Sequence, residues 1–146
     1  MPYSMQLTEA QERNAAKAYA KDVNVSYKHC NELCYAIRGM KVTRARKFLN
    51  DVLEEKTFLP MRRHMKRIGH RSGGTPGQYP KKATRIMIKL LDSAVANGEF
   101  KGLEEEKLSV RHATAYKGTI VPRIKPKGRW KTHNIELTNI ELILRQ

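Results

Sequence analysis

Residues 108–131 read LSVRHATAYKGTIVPRIKPKGRWK and residues 133–146 read HNIELTNIELILRQ, and these two stretches decide the fold. In the first, Leu108, Val110, His112, Thr114 and Tyr116 alternate with Ser109, Arg111, Ala113, Ala115 and Lys117. A period of two predicts a strand with one buried face. The second stretch is a strand rich in isoleucine and leucine. Its apolar phase slips between Leu137 and Ile140, which predicts a bulge near Thr138 and Asn139. Two strands flanking one loop predict an antiparallel hairpin. From Tyr116 to the region of Pro126, each arm would reach about 30 Å if extended, so the tip, about residues 120–131, is expected to project beyond a small core.

The loop between these strands carries Arg123, Lys125, Lys127, Arg129 and Lys131, interleaved with Pro122, Pro126, Gly118, Gly128 and Trp130. Proline stiffens the backbone, glycine permits close approach, and an indole stacks on a base. The plainer alternative is a surface hairpin with a floppy basic tip. Missing acids and ladder-breaking prolines suit an arm laid against phosphate better.

Charge segregation extends upstream. No acid occurs between Glu55 and Asp92, where ten lysines and arginines lie, or between Glu106 and Glu136, where eight more lie. The chain has 146 residues, 29 of them basic against 14 acidic, with a net charge of +15. Such segregation costs self-repulsion in a free protein, whereas a nucleic-acid complex releases counterions at each neutralised phosphate. No run approaches the ~20 apolar residues of a membrane-spanning helix, and the polar N-terminus lacks the apolar core of a signal peptide, so a cytosolic protein is expected.

At 16.8 kDa the chain fits one compact domain. Residues 1–17 are expected to form a polar extension ordered only by a partner, and residues 18–146 the domain, whose first strand covers Ala18 to Val25. Ser26 offers an N-cap for a helix bearing Cys30, Leu33, Cys34 and Ile37, with Gly39 where a positive φ is wanted. Thr43 is expected to cap a second helix, with Ala45, Phe48, Leu49, Val52 and Leu53 buried. Arg44, Arg46 and Lys47 crowd its first turn against the helix dipole, a placement that suits nearby phosphate. Residues 61–79 lack any period and predict a basic loop held by a partner. Pro80, at the first helical position, opens the longest helix, expected to end near Asn97 before Gly98. Its apolar face is Ala83, Ile86, Met87, Leu90, Leu91, Ala94 and Val95. Lys82, Arg85 and Lys89 form a separate basic stripe, for which a solvated face is an equal alternative.

The fold expected is therefore α+β: a small three-stranded antiparallel sheet packed on about three helices, with a long protruding hairpin over residues 108–145. Cys30 and Cys34 share one helix face and read as buried reduced thiols rather than metal ligands. His64 and His70 lie in the basic loop without a neighbouring acid. A nuclease using them, or His112, is one alternative reading, and a free-standing RNA-binding module or RNA chaperone is another. No phosphate-binding glycine loop, zinc-protease helix or nucleophile elbow occurs, so no enzyme, cofactor or metal is expected.

Several strings, in order, resemble those of the large-subunit ribosomal protein L twenty-two family, seventeen in eukaryotic naming. They are Ser26-Tyr-Lys28, Ala36-Ile-Arg-Gly39, Ala45-Arg-Lys-Phe-Leu49, Pro80-Lys-Lys-Ala83, Leu91-Asp-Ser-Ala-Val-Ala-Asn97, Lys117-Gly118, Pro122-Arg-Ile-Lys-Pro-Lys-Gly-Arg129 and Ile140-Glu-Leu-Ile-Leu144. The insert Arg62-Arg-His-Met-Lys-Arg67 and the Gln78-Tyr-Pro80 string resemble archaeal and eukaryotic members. The lack of a long tail leans archaeal. The resemblance implies a small α+β domain on large-subunit rRNA, at the exit tunnel of the cytoplasmic ribosome, beside neighbouring ribosomal proteins. With the acid-free windows and the basic stripe, it places the expected rRNA contacts at Lys28, Arg62, Arg63, Lys66, Arg67, Arg71, Lys82, Arg85, Arg123, Lys125, Lys127, Arg129 and Lys131. It gives the tunnel wall, facing the nascent polypeptide, to Arg123, Ile124, Lys125, Pro126, Lys127, Gly128, Arg129 and Trp130. Trp130 departs from the smaller or polar residue common in the family.

Overall fold

The computed structural model describes residues 3–125 and 131–146. Its main sheet has three antiparallel strands, β1 (Ala15–Val23), β3 (Ile135–Arg145) and β2 (Ser109–Val121), in the spatial order β1-β3-β2. The C-terminal strand is therefore central. Helices α2 (Tyr27–Ile37), α3 (Val42–Leu53) and α4 (Lys81–Phe100) lie on one side, with α2 against β2, α4 against β1, and α3 against α4. A short helix, α1 (Glu9–Arg13), precedes β1.

The centre of the sheet is apolar on its helix side: Ile140, Leu142 and Leu144 of β3 are fully buried. On the outer strands this face carries alanines, Ala16 and Ala18 in β1 and Ala113 and Ala115 in β2. Alanine is a poor strand former, but its small side chain lets the helices approach closely. At Gly98, an added Cβ would stand 3.2 Å from Leu108 Cδ1 and 3.3 Å from Ala16 Cβ. Gly98 is thus a close-packing glycine, and α4 runs past it to Phe100 instead of ending near Asn97. The left-handed glycine after the helix is Gly102, at φ +76°.

The predicted phases also shift. The apparent slip in the last strand is no bulge of that strand, because Thr138, Ile140, Leu142 and Leu144 share one face at a strict period of two. The irregularities lie in its partners: β1 between Ala20 and Val23, and β2 between Val110 and His112 and between Lys117 and Ile120. The β2 bulge reverses the predicted alternation. Val110 is buried before it, whereas Ala113 and Ala115 are buried after it and His112, Thr114 and Tyr116 turn to the other face. A regular alternation cannot reveal an extra residue whose place is set by the partner strand.

Strand β1 begins at Ala15, earlier than the expected Ala18, and both Ala15 and Ala16 are fully buried. Residues 3–14 make contacts within the chain. Thr8 and Gln11 form a capping box on α1, and Ser4 binds the buried Glu141 of β3 on the sheet face opposite the helices. Helix α3 starts at Val42 with Lys41, not Thr43, as its N-cap, because Val42 is itself in the core. Pro80 is the N-cap of α4 rather than its first residue; its carbonyl receives the Thr84 hydroxyl at 3.1 Å. As predicted, α2 starts after Ser26, and Gly39 has φ +82°. Cys30 and Cys34 are unpaired and fully buried, which pushes the Cys30 thiol up to about 12.

Pairing of β2 with β3 extends to Val121 opposite Ile135, and an isolated bridge joins Ile124 to Thr132. The Lys125 N–H donates to the Lys131 carbonyl at 3.0 Å. The expected tip residues Pro126, Lys127, Gly128, Arg129 and Trp130 lie outside the described residues.

Candidate nucleic-acid interface

Residues 61–79 carry hydrogen bonds of their own. Leu59–Pro60 pairs with Gly77–Gln78, and His70 bridges Pro76. Arg71 closes the tight turn, its N–H donating to the Thr75 carbonyl at 2.9 Å and its Nε to the Gly77 carbonyl at 3.2 Å. Its guanidinium also lies 5.0 Å from the Tyr79 ring centroid. Gly77 has no room for a side chain, since a Cβ would collide with the Phe58 ring. Backbone bonds thus supply the order that periodicity could not predict.

The segment places its basic residues against the start of α2. Lys28, Arg63, Lys66 and Arg67 line one cleft of about 420 Å³ together with His29 and His64. The sequence assigns these four to rRNA from separate parts of the chain, and the fold brings them together. His64 meets the Tyr27 ring edge-on at 6.2 Å. Among the described residues, no group of three or more histidines, cysteines or acids is arranged to hold a metal.

Arg62 points to a second cleft, also of about 420 Å³, lined by Glu32, Tyr35, Arg38 and Arg63. Its guanidinium lies 4.6 Å from the Tyr35 ring centroid, and its Nη1 donates to the Tyr35 hydroxyl at 3.0 Å. Sequence reasoning does not single out Tyr35, Arg38 or Glu32 as interface residues. The available signal is Tyr35 itself, an aromatic outside the apolar stripe of α2.

Lys82 and Arg85 are exposed on α4, away from the buried Ala83, Met87, Leu90 and Leu91. Arg123, Lys125 and Lys131, beyond the last paired strand residues Val121 and Ile135, are exposed. At the start of α3, Arg46 needs no phosphate: it bonds Asp92 at 2.9 Å and Glu105 at 2.7 Å.

The ion pairs of the fold involve other cations. Lys17, Arg46, Lys56, Lys81, Lys107 and Lys117 pair with carboxylates. Among the described residues, none of Lys28, Arg62, Arg63, Lys66, Arg67, Arg71, Lys82, Arg85, Arg123, Lys125 and Lys131 has a carboxylate oxygen within 4.0 Å. An exposed cation without an internal counterion leaves its charge free for an external anion.

Residues 18–145 match the family described as ribosomal protein L22p/L17e. A protein of Methanocella arvoryzae named large ribosomal subunit protein uL22 is 43% identical, with 88% of each chain covered. Proteins of the same name are 42% identical in Archaeoglobus fulgidus, covering 90% of this chain and 88% of the relative, and 37% identical in Methanopyrus kandleri, covering 99% and 94%.

Proposed function

The chain belongs to the ribosomal protein L22p/L17e family, and from that premise we propose that it is a structural constituent of the large subunit of the cytoplasmic ribosome, not an enzyme, binding large-subunit rRNA beside neighbouring ribosomal proteins. The observation that carries rRNA binding is the set of exposed basic side chains with no carboxylate partner, grouped on the 61–79 segment, the start of α2, α4 and the arm. In this reading Lys28, Arg63, Lys66 and Arg67 grip phosphates around one cleft, while Lys82 and Arg85 extend the basic surface along α4. Phosphate contacts of this kind fix position and orientation on RNA without reading its sequence.

The arm formed by β2 and β3 projects from the domain in this reading and ties separated rRNA segments together. Arg123, Lys125, Lys127, Arg129 and Lys131 neutralise phosphate along it, and its tip, around residues 123–130, lines the exit tunnel within reach of the nascent polypeptide. The exposure of Ile120, Val121 and Ile124, at 51, 41 and 66%, supports an arm that leaves the core, since a free surface hairpin gains nothing from exposed branched side chains.

Sedimentation of lysate at low salt tests the assignment. The protein is expected to travel with large subunits, and a substantial free pool beside intact subunits would refute it. For the tip, crosslinking from position 124 to a stalled nascent chain is expected; crosslinks to surface proteins alone would remove the tunnel placement.

A further inference from the structure

We propose that the cleft between α2 and the Arg62–Arg63 segment takes one unpaired rRNA base, stacked on Tyr35 and recognised by Glu32 through an exocyclic amino group. The inference rests on the rRNA-binding reading and adds what this cleft selects. Glu32 is only 3% exposed, in a chain whose other buried acid, Glu141, is fully occupied by Ser4 and Tyr116. Its Oε1 accepts the Arg63 N–H at 2.8 Å. Its Oε2 has no hydrogen-bond partner among the described residues, and no lysine or arginine nitrogen lies within 4.0 Å of the carboxylate. That oxygen is not sealed in, because no buried side-chain oxygen is left without a partner, and Glu32 lines the cleft. The cleft therefore presents an unused acceptor at its wall.

An acceptor-only carboxylate repels phosphate, so the basic surroundings alone do not explain the site. It matches a hydrogen-bond donor. Among RNA bases, guanine, cytosine and adenine carry an exocyclic amino group that projects beyond the ring and reaches into a cleft wall, whereas uracil offers only its shorter ring N3–H. Tyr35 supplies the stacking surface. Its residue remains 48% exposed although Arg62 covers the ring at 4.6 Å, and it also lines a neighbouring cleft of about 600 Å³ with Arg38 and Arg111. Arg62 bonds the Tyr35 hydroxyl, and beside it Arg38 Nη2 bonds the Ala113 carbonyl at 2.6 Å. Arg38, Arg62 and Arg63 then accompany the sugar-phosphate of the bound nucleotide. Single-stranded bases are recognised in this way, by an aromatic face together with edge contacts.

The test uses the full chain and short oligouridines, plain or carrying one central guanosine, cytidine or adenosine, with binding followed by fluorescence anisotropy. Wild type is expected to favour the amino-bearing oligomers roughly tenfold. Glu32→Gln keeps an acceptor for the Arg63 N–H but presents an amide donor in place of Oε2. It is expected to melt like wild type and to lose the preference. Tyr35→Leu should weaken all oligomers by about tenfold, and Tyr35→Phe should restore them. Equal binding of plain and amino-bearing oligomers by wild type, or a preference surviving in Glu32→Gln, overturns the inference. Intact large-subunit rRNA separates this from its parent reading. Salt-sensitive binding there without base preference here removes only the base site, whereas absence of binding there removes rRNA recognition itself.

Discussion

The Asp22 carboxylate in β1 accepts the backbone N–H of Thr119 in β2 at 2.8 Å, although β3 lies between those two strands. Asp22 adopts φ +49° in the β1 bulge, and its own N–H donates to Asn139 Oδ1 at 2.7 Å. The bond from Thr119 is the main influence holding the Asp22 carboxyl below its ordinary pKa. The bulges in the two outer strands thus flank Thr138 of the central strand, the β1 bulge opposite Thr138–Ile140 and the β2 bulge opposite Glu136–Thr138.

Asp22→Ala is expected to leave the core folded and to speed hydrogen exchange of the Thr119 amide while the Ala113 and Ala115 amides stay protected. Gly118→Ala should be more severe, because its Cβ would collide with Asp22 Oδ1 and press on the Asn139 amide. A loss of about 1–3 kcal/mol in denaturant unfolding is expected. Unchanged exchange at Thr119 in the first variant would count against a latch.

Acid stability should depend on the face of the sheet opposite the helices. Burial by itself would raise the Glu141 pKa, but bonds from the Ser4 hydroxyl at 2.6 Å, the Ser4 N–H and the Tyr116 hydroxyl outweigh it and hold the group below its ordinary value. Burial, with help from Arg38, lowers the His112 pKa. Both groups bind protons more readily when unfolded, so both stabilise the fold above their unfolded values and lose that contribution as pH falls through their folded ones. Unfolding free energy should decline first below about pH 6.5 through His112, then below about 4.5 through Glu141. Glu141→Gln should cost roughly 1–3 kcal/mol at neutral pH and flatten the lower limb. Ser4→Ala should shift that limb upward in pH.

Gly98→Ala tests why α4 continues through a glycine. In an open helix this change gains about 1 kcal/mol. Here the new methyl group meets Leu108 and Ala16 at 3.2 and 3.3 Å, so the variant is expected to melt no higher than wild type. A higher melting temperature would show that α4 and β1 can separate freely.

Removing exposed charge should affect binding and not folding. Lys66→Ser with Arg67→Ser is expected to lower the salt-dependence slope of rRNA binding by about one for each phosphate that is no longer neutralised. Stability should stay within about 0.5 kcal/mol of wild type. Replacing Arg123, Lys125, Lys127 and Arg129 with serine should impair assembly into the subunit in the same way while the domain stays folded. Arg62→Ser should differ, costing about 0.5–1 kcal/mol of stability through its contact with Tyr35. Thermal melts and binding across a range of salt concentrations check all three.

The sequence by itself determined the elements whose periodicity faces one core. The stripe of α4, the alternation that makes β2 and β3 strands, and the left-handed turn at Gly39 were all legible, because each depends on neighbours along the chain. The charge segregation was legible too, since it needs no coordinates. Tertiary structure alone decided where the bulges fall, because an extra residue in one strand is defined only by its partner. It decided that Gly98 packs against Ala16, that Ser4 anchors the N-terminal segment on Glu141, and that Arg46 finds Asp92 and Glu105. It also gathered Lys28 with Arg63, Lys66 and Arg67, and Glu32 with Tyr35 and Arg62. These groups come from positions far apart in the chain, and no local pattern records a contact made only when separate elements pack.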